Sequence, residues 1–489
     1  MQRSPQTDWN GVRAKFQQVW GYEHFRPPQG EIVQCLLAKR DALVVMPTGG
    51  GKSICFQLPA LLSTGLTLVV SPLVALMENQ VQELRQRQLP AALLHSELPT
   101  YQRRQILGAI ERQTLRLLYL SPETLLSPPV WQLLCQPQIA INGLILDESH
   151  CLVQWGDTFR PAYRRLGAVR PALLQRKPAG TQMAIAAFTA TADPQAQQTI
   201  QQVLQLHQPQ VFLQSPYRSN LHLAVKLAWT PRGRRQQLLR FIQARSEKAG
   251  LVYVRTRRDG EDLAGWLAQQ GHPTAAYHAG LSPERRRQIE TAWLSGTLLF
   301  VVCTSAFGMG INKPDVGWVV HYHAPVLLSE YVQEVGRAGR DGNLAEALTL
   351  VSEPTGWLDS EDAQRQQFFQ DQIRKQQQSA QRLIRQIPAQ GEVNAVTRQF
   401  KDGAIALAFL HSSGQLEWQD PFRYRLHQAV ASHASNPVKA ARQMNRYLTS
   451  KGCRWLFLLE AFGFPAEARQ LNRGCGHCDR CHPDGASVT

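Results

Sequence analysis

Along the first 350 or so residues, short apolar runs alternate with longer polar stretches rich in Gln and Arg. Runs of this length bounded by turn residues read as strands buried on both faces of a parallel sheet, and the polar stretches supply covering helices. The pattern predicts strands at Val44–Met46, Leu66–Val70, Leu115–Leu120, Leu144–Leu146 and Met183–Phe188. Ser215–Asn220 reads as a linker. The alternation then restarts with Leu251–Val254, Thr274–Tyr277, Leu298–Cys303, Val316–Val320 and Ala347–Val351. The expected fold class is α/β, with two doubly wound parallel-sheet lobes at residues 1–214 and 215–353.

The pattern changes after Pro354. Residues 361–386 are charged, Gln-rich and free of Pro and Gly, which reads as an exposed helix. Helical patterns follow at 381–387, 392–400 and 404–410, then strand-like Leu416–Trp418 and Phe422–Leu426 around a polar turn. Three helices and a two-strand wing suggest a winged-helix-like unit, a relative of the helix-turn-helix that docks on duplex DNA; a plain helical insert is the alternative. Residues 354–432 are thus expected to hold a helical spacer plus this unit, and 433–489 a cysteine-bearing module.

Two short segments carry most of the chemistry. Met46-Pro-Thr-Gly-Gly-Gly-Lys-Ser53 and Asp147-Glu-Ser-His150 each follow an apolar run, at the strand ends where parallel sheets present ligands. Thr48, Gly49, Gly50 and Gly51 let backbone N–H groups curl around phosphates, Lys52 reaches the β- and γ-phosphates, and the Ser53 hydroxyl holds Mg²⁺. Asp147 supplies a carboxylate to the same ion's shell and Glu148 polarises the attacking water. Met46 replaces the first glycine of the general phosphate-loop pattern, so the conjunction of the two segments carries the reading of a nucleoside triphosphatase.

Upstream, Arg26 and Gln29 fit an adenine clamp, since a glutamine amide can pair with N6 and N7 while an arginine covers the ring. ATP is the expected nucleotide. In the second lobe, Gln333-Glu-Val-Gly-Arg337-Ala-Gly-Arg340 places two arginines three residues apart, on one face if the segment is helical. They would neutralise charge on the transferring phosphoryl group, with ATP in a cleft between the lobes. Trp155, Phe159 and Arg160 form a loop able to stack on unpaired bases, a buried Trp–Phe pair being the alternative. Thr189 and Thr191, at a strand end, can relay nucleotide state through their hydroxyls.

Cys475, Cys478 and Cys481 have C-x₂-C-x₂-C spacing, and Cys453 in an apolar helix can complete a tetrahedral set. Four sulfurs suggest structural Zn²⁺, an iron–sulfur cluster being the other reading; His477 and His482 are substitute ligands. The other five cysteines are scattered and read as small core hydrophobes of a reducing compartment.

A net charge of +16 favours polyanions. From Arg423 to Arg454 there are seven Lys/Arg and no Asp or Glu. No apolar run reaches the length of a membrane span and no signal-peptide pattern opens the chain, so a cytoplasmic location and no membrane partner are expected.

These residues resemble the RecQ DNA helicases of superfamily 2. The likeness rests on Gly21–Gln29, Met46–Ser53, Ser71–Met77, Asp147–His150, Trp155–Pro161, Tyr277–Leu281, Ala306–Pro314 and Gln333–Gly342, in family order, and on the four cysteines. It implies two RecA-like lobes and an ATP- and Mg²⁺-dependent motor moving 3′ to 5′ on single-stranded DNA and separating duplex DNA in recombination, repair or fork processing. It also implies a monomer, with single-strand-binding protein as a candidate partner. The order departs from the family's, because about 110 residues separate Gly342 from Cys453 and eight follow Cys481. The expectation is a short form lacking the C-terminal HRDC domain, with the winged-helix-like unit placed ahead of the zinc module to grip duplex DNA. The rival readings are an RNA helicase and an ATP-switched DNA-binding or strand-annealing protein.

Overall fold

The computed structural model describes residues 8–153, 160–307, 311, 313–353, 355, 357–427 and 437–482. Trp155 and Phe159 lie outside the described residues. These residues form two compact units: one of residues 8–46, 50–214 and 373–427, the other of 47–49, 215–372 and 437–482. No helix among them is long and apolar enough to cross a membrane.

The first unit is built on seven parallel strands: β1 Ala42–Val45, β2 Leu66–Val70, β3 Ala91–Leu94, β4 Leu117–Leu120, β5 Ile141–Leu146, β6 Ala184–Thr189 and β7 Gln210–Leu213. Their order is β3-β4-β2-β5-β6-β1-β7. Alternate residues point to opposite faces, and both faces are covered. Leu43, Val45, Leu68, Val70, Leu144 and Leu146 enter one apolar cluster. Ala42, Val44, Val69 and Ile145 enter the other. Burial on both faces explains why these strands read as unbroken apolar runs.

The second unit holds six parallel strands: β8 Leu221–Ala228, β9 Ala249–Tyr253, β10 Ala276–Tyr277, β11 Phe300–Cys303, β12 Val316–His321 and β13 Ala345–Ser352. Their order is β10-β11-β9-β12-β13-β8. The cysteine module covers the β8 edge: Trp455 Nε1–H donates to Leu221 O (3.1 Å) and the Asp479 N–H donates to Leu223 O (2.9 Å). The Val225 N–H in turn donates to Asp479 Oδ2 (3.0 Å), so an edge that would otherwise be open is paired. Tyr447, from the helix Pro437–Thr449, donates its hydroxyl to Tyr331 of the same unit (2.8 Å).

The expected winged-helix-like unit is present. One continuous helix, Glu361–Leu383, replaces the separate spacer and first helix read from the sequence. It is followed by β14 Gln390–Glu392, helices Val393–Gln399 and Gly403–Ser412, β15 Leu416–Asp420 and β16 Arg423–Leu426. The sheet has three antiparallel strands in the order β14-β16-β15, one more than the two-strand wing expected. Three residues of Gln-Gly-Glu carry no strand pattern, which is why β14 escaped notice.

Candidate nucleotide site and metal centre

The phosphate loop begins where β1 ends, and the Met46 N–H donates to Thr189 O at the end of β6 (3.0 Å). Gly49 and Gly51 have φ of 86° and 77°, a left-handed conformation that costs glycine little. A Cβ at Gly51 would stand 2.3 Å from Gln29 Nε2, so a side chain there would displace the Gln29 amide from its place against the loop. Helix Lys52–Leu62 starts directly from Gly51 with no side-chain cap, leaving its first N–H groups for an anion. Ser53 lies in that first turn. The Lys52 ammonium donates to Met46 O (3.1 Å), folded back onto its own loop.

Gln29 is buried, and its amide faces this loop: Oε1 accepts from the Arg26 N–H (3.0 Å) and Nε2–H donates to Gly50 O (3.0 Å). Among the described residues these two contacts use two of the amide's four hydrogen-bonding positions, leaving one N–H and one lone pair. Arg26 instead lines a cavity of about 300 Å³ with Trp9, Arg13, His24, Phe25 and Glu31. Trp9 and Arg13 were missed in the sequence. They stand on the helix Trp9–Trp20, whose Trp9, Phe16 and Trp20 at helical spacing were the available signal. Phe25 stacks on Phe16 at 4.2 Å between ring centres and approaches Trp9 at 5.5 Å, which fixes the cavity wall.

Asp147 and Glu148 leave the end of β5, both buried. Asp147 Oδ1 accepts the Glu148 N–H (3.0 Å) and Oδ2 accepts from Gln80 (3.4 Å). Burial, and then the neighbouring Glu148, push the Asp147 carboxyl up to about 6, while Lys52 opposes the rise. A divalent cation would relieve that repulsion, so the donor set fits Mg²⁺. Glu148 has φ 51°, an uncommon value for a side-chain residue, and it turns the carboxylate toward His150. His150 Nδ1 lies 3.2 Å from Glu148 Oε2 and 3.3 Å from Thr189 Oγ1. Thr189 Oγ1 in turn donates to Thr191 O (3.1 Å) and accepts the Thr191 N–H (3.3 Å). Glu148 and the two threonines are thus joined by one imidazole, a link the sequence did not disclose. Arg160 stands half-exposed with Nη1 3.5 Å from Glu123.

In the second unit the arginines are not helical. Helix Leu328–Val335 ends before them, and Arg337 and Arg340 occupy the turn that follows; Gly336 and Gly339, poor helix formers, stop the helix. Burial, and then Arg337, lower Arg340 to about 10, still cationic at neutral pH. Gln333 and Glu334 are buried on the helix. Glu334 accepts two hydrogen bonds from Arg255 (3.0 and 2.7 Å), tying this last turn to the end of β9.

The four sulfurs of Cys453, Cys475, Cys478 and Cys481 lie within 4.8 Å of one another. Sulfurs bound tetrahedrally to zinc at about 2.3 Å stand about 3.8 Å apart. The separations here are 3.9 Å for Cys475–Cys481, 3.9 Å for Cys453–Cys478 and 3.6 Å for Cys478–Cys481. N–H groups of Cys475, His477 and Arg454 donate to the sulfurs of Cys453, Cys475 and Cys478 (3.3, 3.4 and 3.5 Å), which favours thiolates. Cys453 caps the helix Arg454–Ala461 from outside and does not sit within it, as the sequence had suggested. His477 is turned to the Tyr217 hydroxyl (3.2 Å) and His482 is exposed.

Comparison with known proteins agrees with this geometry. A DEAD/DEAH box helicase model matches residues 26–200, and a helicase conserved C-terminal domain model matches residues 233–342. Among solved structures, S. cerevisiae Dbp5 bound to RNA and ADP BeF3 superposes with a TM-score of 0.56 over 73% of this chain and 91% of that one, at 16% identity, a likeness of fold alone. Two RecA-like lobes with these motifs define the superfamily 2 helicase class. The chain is 55% identical to the ATP-dependent DNA helicase RecQ of Synechocystis sp., over 97% of its own length and 98% of that protein. It is 39% identical to the ATP-dependent DNA helicase RecQ of Pasteurella multocida over 70% of this chain, and the match spans 52% of that protein. The chain belongs to the RecQ family of DNA helicases.

Proposed function

We propose that this chain couples ATP hydrolysis to 3′-to-5′ movement on one DNA strand and separates the duplex ahead of it, in recombination, repair or replication-fork processing. The observation that carries the reading is the convergence of the Lys52 loop, the Asp147–Glu148 pair and the His150–Thr189–Thr191 chain at the ends of β1, β5 and β6.

Arg26 and the aromatic cavity hold adenine, with the free half of the Gln29 amide reading its edge. The Gly49–Gly51 N–H groups and Lys52 hold the phosphates, beside Thr48. Ser53 and Asp147 would hold Mg²⁺, which when bound neutralises charge on the phosphate oxygens. Glu148 orients the attacking water and takes its proton, and Arg337 and Arg340 offset charge on the γ-phosphoryl group beside Gln333. His150 passes the state of Glu148 to Thr189 and Thr191. Trp155, Phe159 and Arg160 then stack on unpaired bases and couple them to hydrolysis. Cys453, Cys475, Cys478 and Cys481 would hold Zn²⁺ in a structural role, closed to substrate. The protein works as a monomer in the bacterial cytoplasm, on DNA that single-strand-binding protein also covers.

The test is ATP turnover with and without DNA. Lys52→Ala should abolish DNA-stimulated hydrolysis. Glu148→Gln should bind ATP normally yet lose turnover, since only water activation is removed. Near wild-type hydrolysis by Glu148→Gln, or stimulation by RNA but not DNA, would overturn the reading.

A further inference from the structure

A winged helix that reads DNA places its third helix in the major groove, with polar and basic side chains on the exposed face. The third helix here, Gly403–Ser412, has the sequence Gly-Ala-Ile-Ala-Leu-Ala-Phe-Leu-His-Ser, with no Lys or Arg. None of its ten residues is exposed. Ala406, Leu407 and Leu410 share an apolar cluster with Trp418 and Tyr424 of the wing and with Ala168 of the first lobe.

Ala168 ends the 3-10 segment Pro161–Ala168, which begins immediately after Arg160. The same segment meets the wing turn, where Arg165 Nη1–H donates to Pro421 O (3.3 Å). Next to it, Phe422 packs edge-on against Trp131 of the helix Pro128–Leu134, with ring centres 5.3 Å apart and planes at 70°. His411, on the docked helix, is held neutral: burial and then Arg164 lower it to about 3.

The wing's outer face is not a free basic surface either. Arg423 lies opposite Glu392 and Asp420 on the neighbouring strands and contacts Asp420 at 2.6 Å. Arg425 lies opposite Glu417, and His427 contacts Glu417 at 3.0 Å. Opposite charges across these strands stabilise the sheet and leave the wing itself little net attraction for phosphates.

We propose that the winged-helix-like unit is a protein-facing brace: its third helix docks on Pro161–Ala168, directly after Arg160 in the chain, and steadies that segment instead of entering a DNA groove. The inference rests on the reading of Trp155 and Phe159 as the DNA-coupling loop, and it replaces the duplex grip that the sequence order suggested.

Two experiments on the full chain test it. In the first, Arg423→Gln and Arg425→Gln are combined with Arg398→Gln, an exposed residue in the last turn of the second helix Val393–Gln399, and blunt-duplex affinity is measured against salt. The brace predicts affinity within about twofold of wild type and an unchanged salt slope; a slope reduced by about one for each arginine removed would show that the unit grips DNA and overturn it. In the second, Phe422→Ala should raise amide exchange across residues 162–168 and lower DNA-stimulated ATPase on the order of threefold, with basal ATPase intact. Phe422→Tyr, which keeps the ring, should restore both. Unchanged exchange in Phe422→Ala would overturn the brace. Trp155→Ala is run alongside: if it leaves DNA stimulation intact, the coupling-loop reading fails, and the exchange measurement still decides the brace.

Discussion

Glu334→Gln tests how the arginine turn is held. Glu334 is buried at the end of the helix Leu328–Val335, with 5% of its side chain exposed. It accepts two hydrogen bonds from Arg255, and His321 Nε2 lies 3.0 Å away. His321 is kept neutral by burial, so it donates Nε2–H to Glu334 and accepts at Nδ1 from the Thr349 hydroxyl (3.1 Å). Burial alone would raise the Glu334 carboxyl, but Arg255 and His321 outweigh it and hold it at about 2. An unfolded glutamate titrates near about 4.3, so the carboxylate contributes about 3 kcal/mol at pH 7. Breaking a buried pair from one side costs about 3–5 kcal/mol, which agrees. Because the folded value is depressed, this contribution is complete above about pH 5, falls to roughly half at pH 3 and vanishes below about 2. Glutamine keeps the shape and removes the charge. Urea unfolding of the variant should therefore show a deficit of about 3 kcal/mol at pH 7 that shrinks to roughly half of that at pH 3. A deficit under about 1 kcal/mol at pH 7, or one that does not change down to pH 3, would refute the reasoning.

Metal analysis should find one zinc per chain and a colourless protein, and Cys478→Ser should fold poorly because structural zinc supplies folding free energy; iron with labile sulfide would instead establish a cluster. Trp9→Ala should weaken ATP binding by on the order of tenfold without altering turnover at saturation, since it removes one wall of the cavity beside Arg26; an unchanged KM for ATP would place adenine elsewhere. Trp155→Ala should keep basal ATPase and lose stimulation by single-stranded DNA, at about 1–3 kcal/mol of stacking per base.

The central strands were legible because burial on both faces writes itself as continuous apolar sequence. The strands that escaped are those where that logic fails. β3 is Ala-Ala-Leu-Leu, as fit for a helix as for a strand. β7 and β8 lie at sheet edges, and their half-exposed residues interrupt the apolar run. The glycine-bounded turn ahead of Lys52, the carboxylate at the end of β5 and the grouping of the four cysteines were readable, because tight turns and clustered thiols follow from short local spacings. Gln29's contact with Gly50, the His150 bridge to Thr189 and the Arg255–Glu334 pair join residues 21, 39 and 79 positions apart. No local spacing encodes such contacts. The end of the helix before Arg337 was misread because a three-residue spacing looks helical, although the glycines on either side argued for a turn. For the third helix, sequence order suggested a DNA reader, while the absence of any basic residue on Gly403–Ser412, which favours the proposed brace, was already visible.

The most direct measurement is strand displacement by the full chain on matched duplexes carrying a 3′ tail, a 5′ tail or neither, with ATP and Mg²⁺, beside Glu148→Gln. The account predicts release from the 3′-tailed duplex alone, dependent on ATP and absent in Glu148→Gln, which still binds the tail. Release without hydrolysis, release only from the 5′-tailed duplex, or DNA-stimulated hydrolysis with no release from any substrate would contradict it.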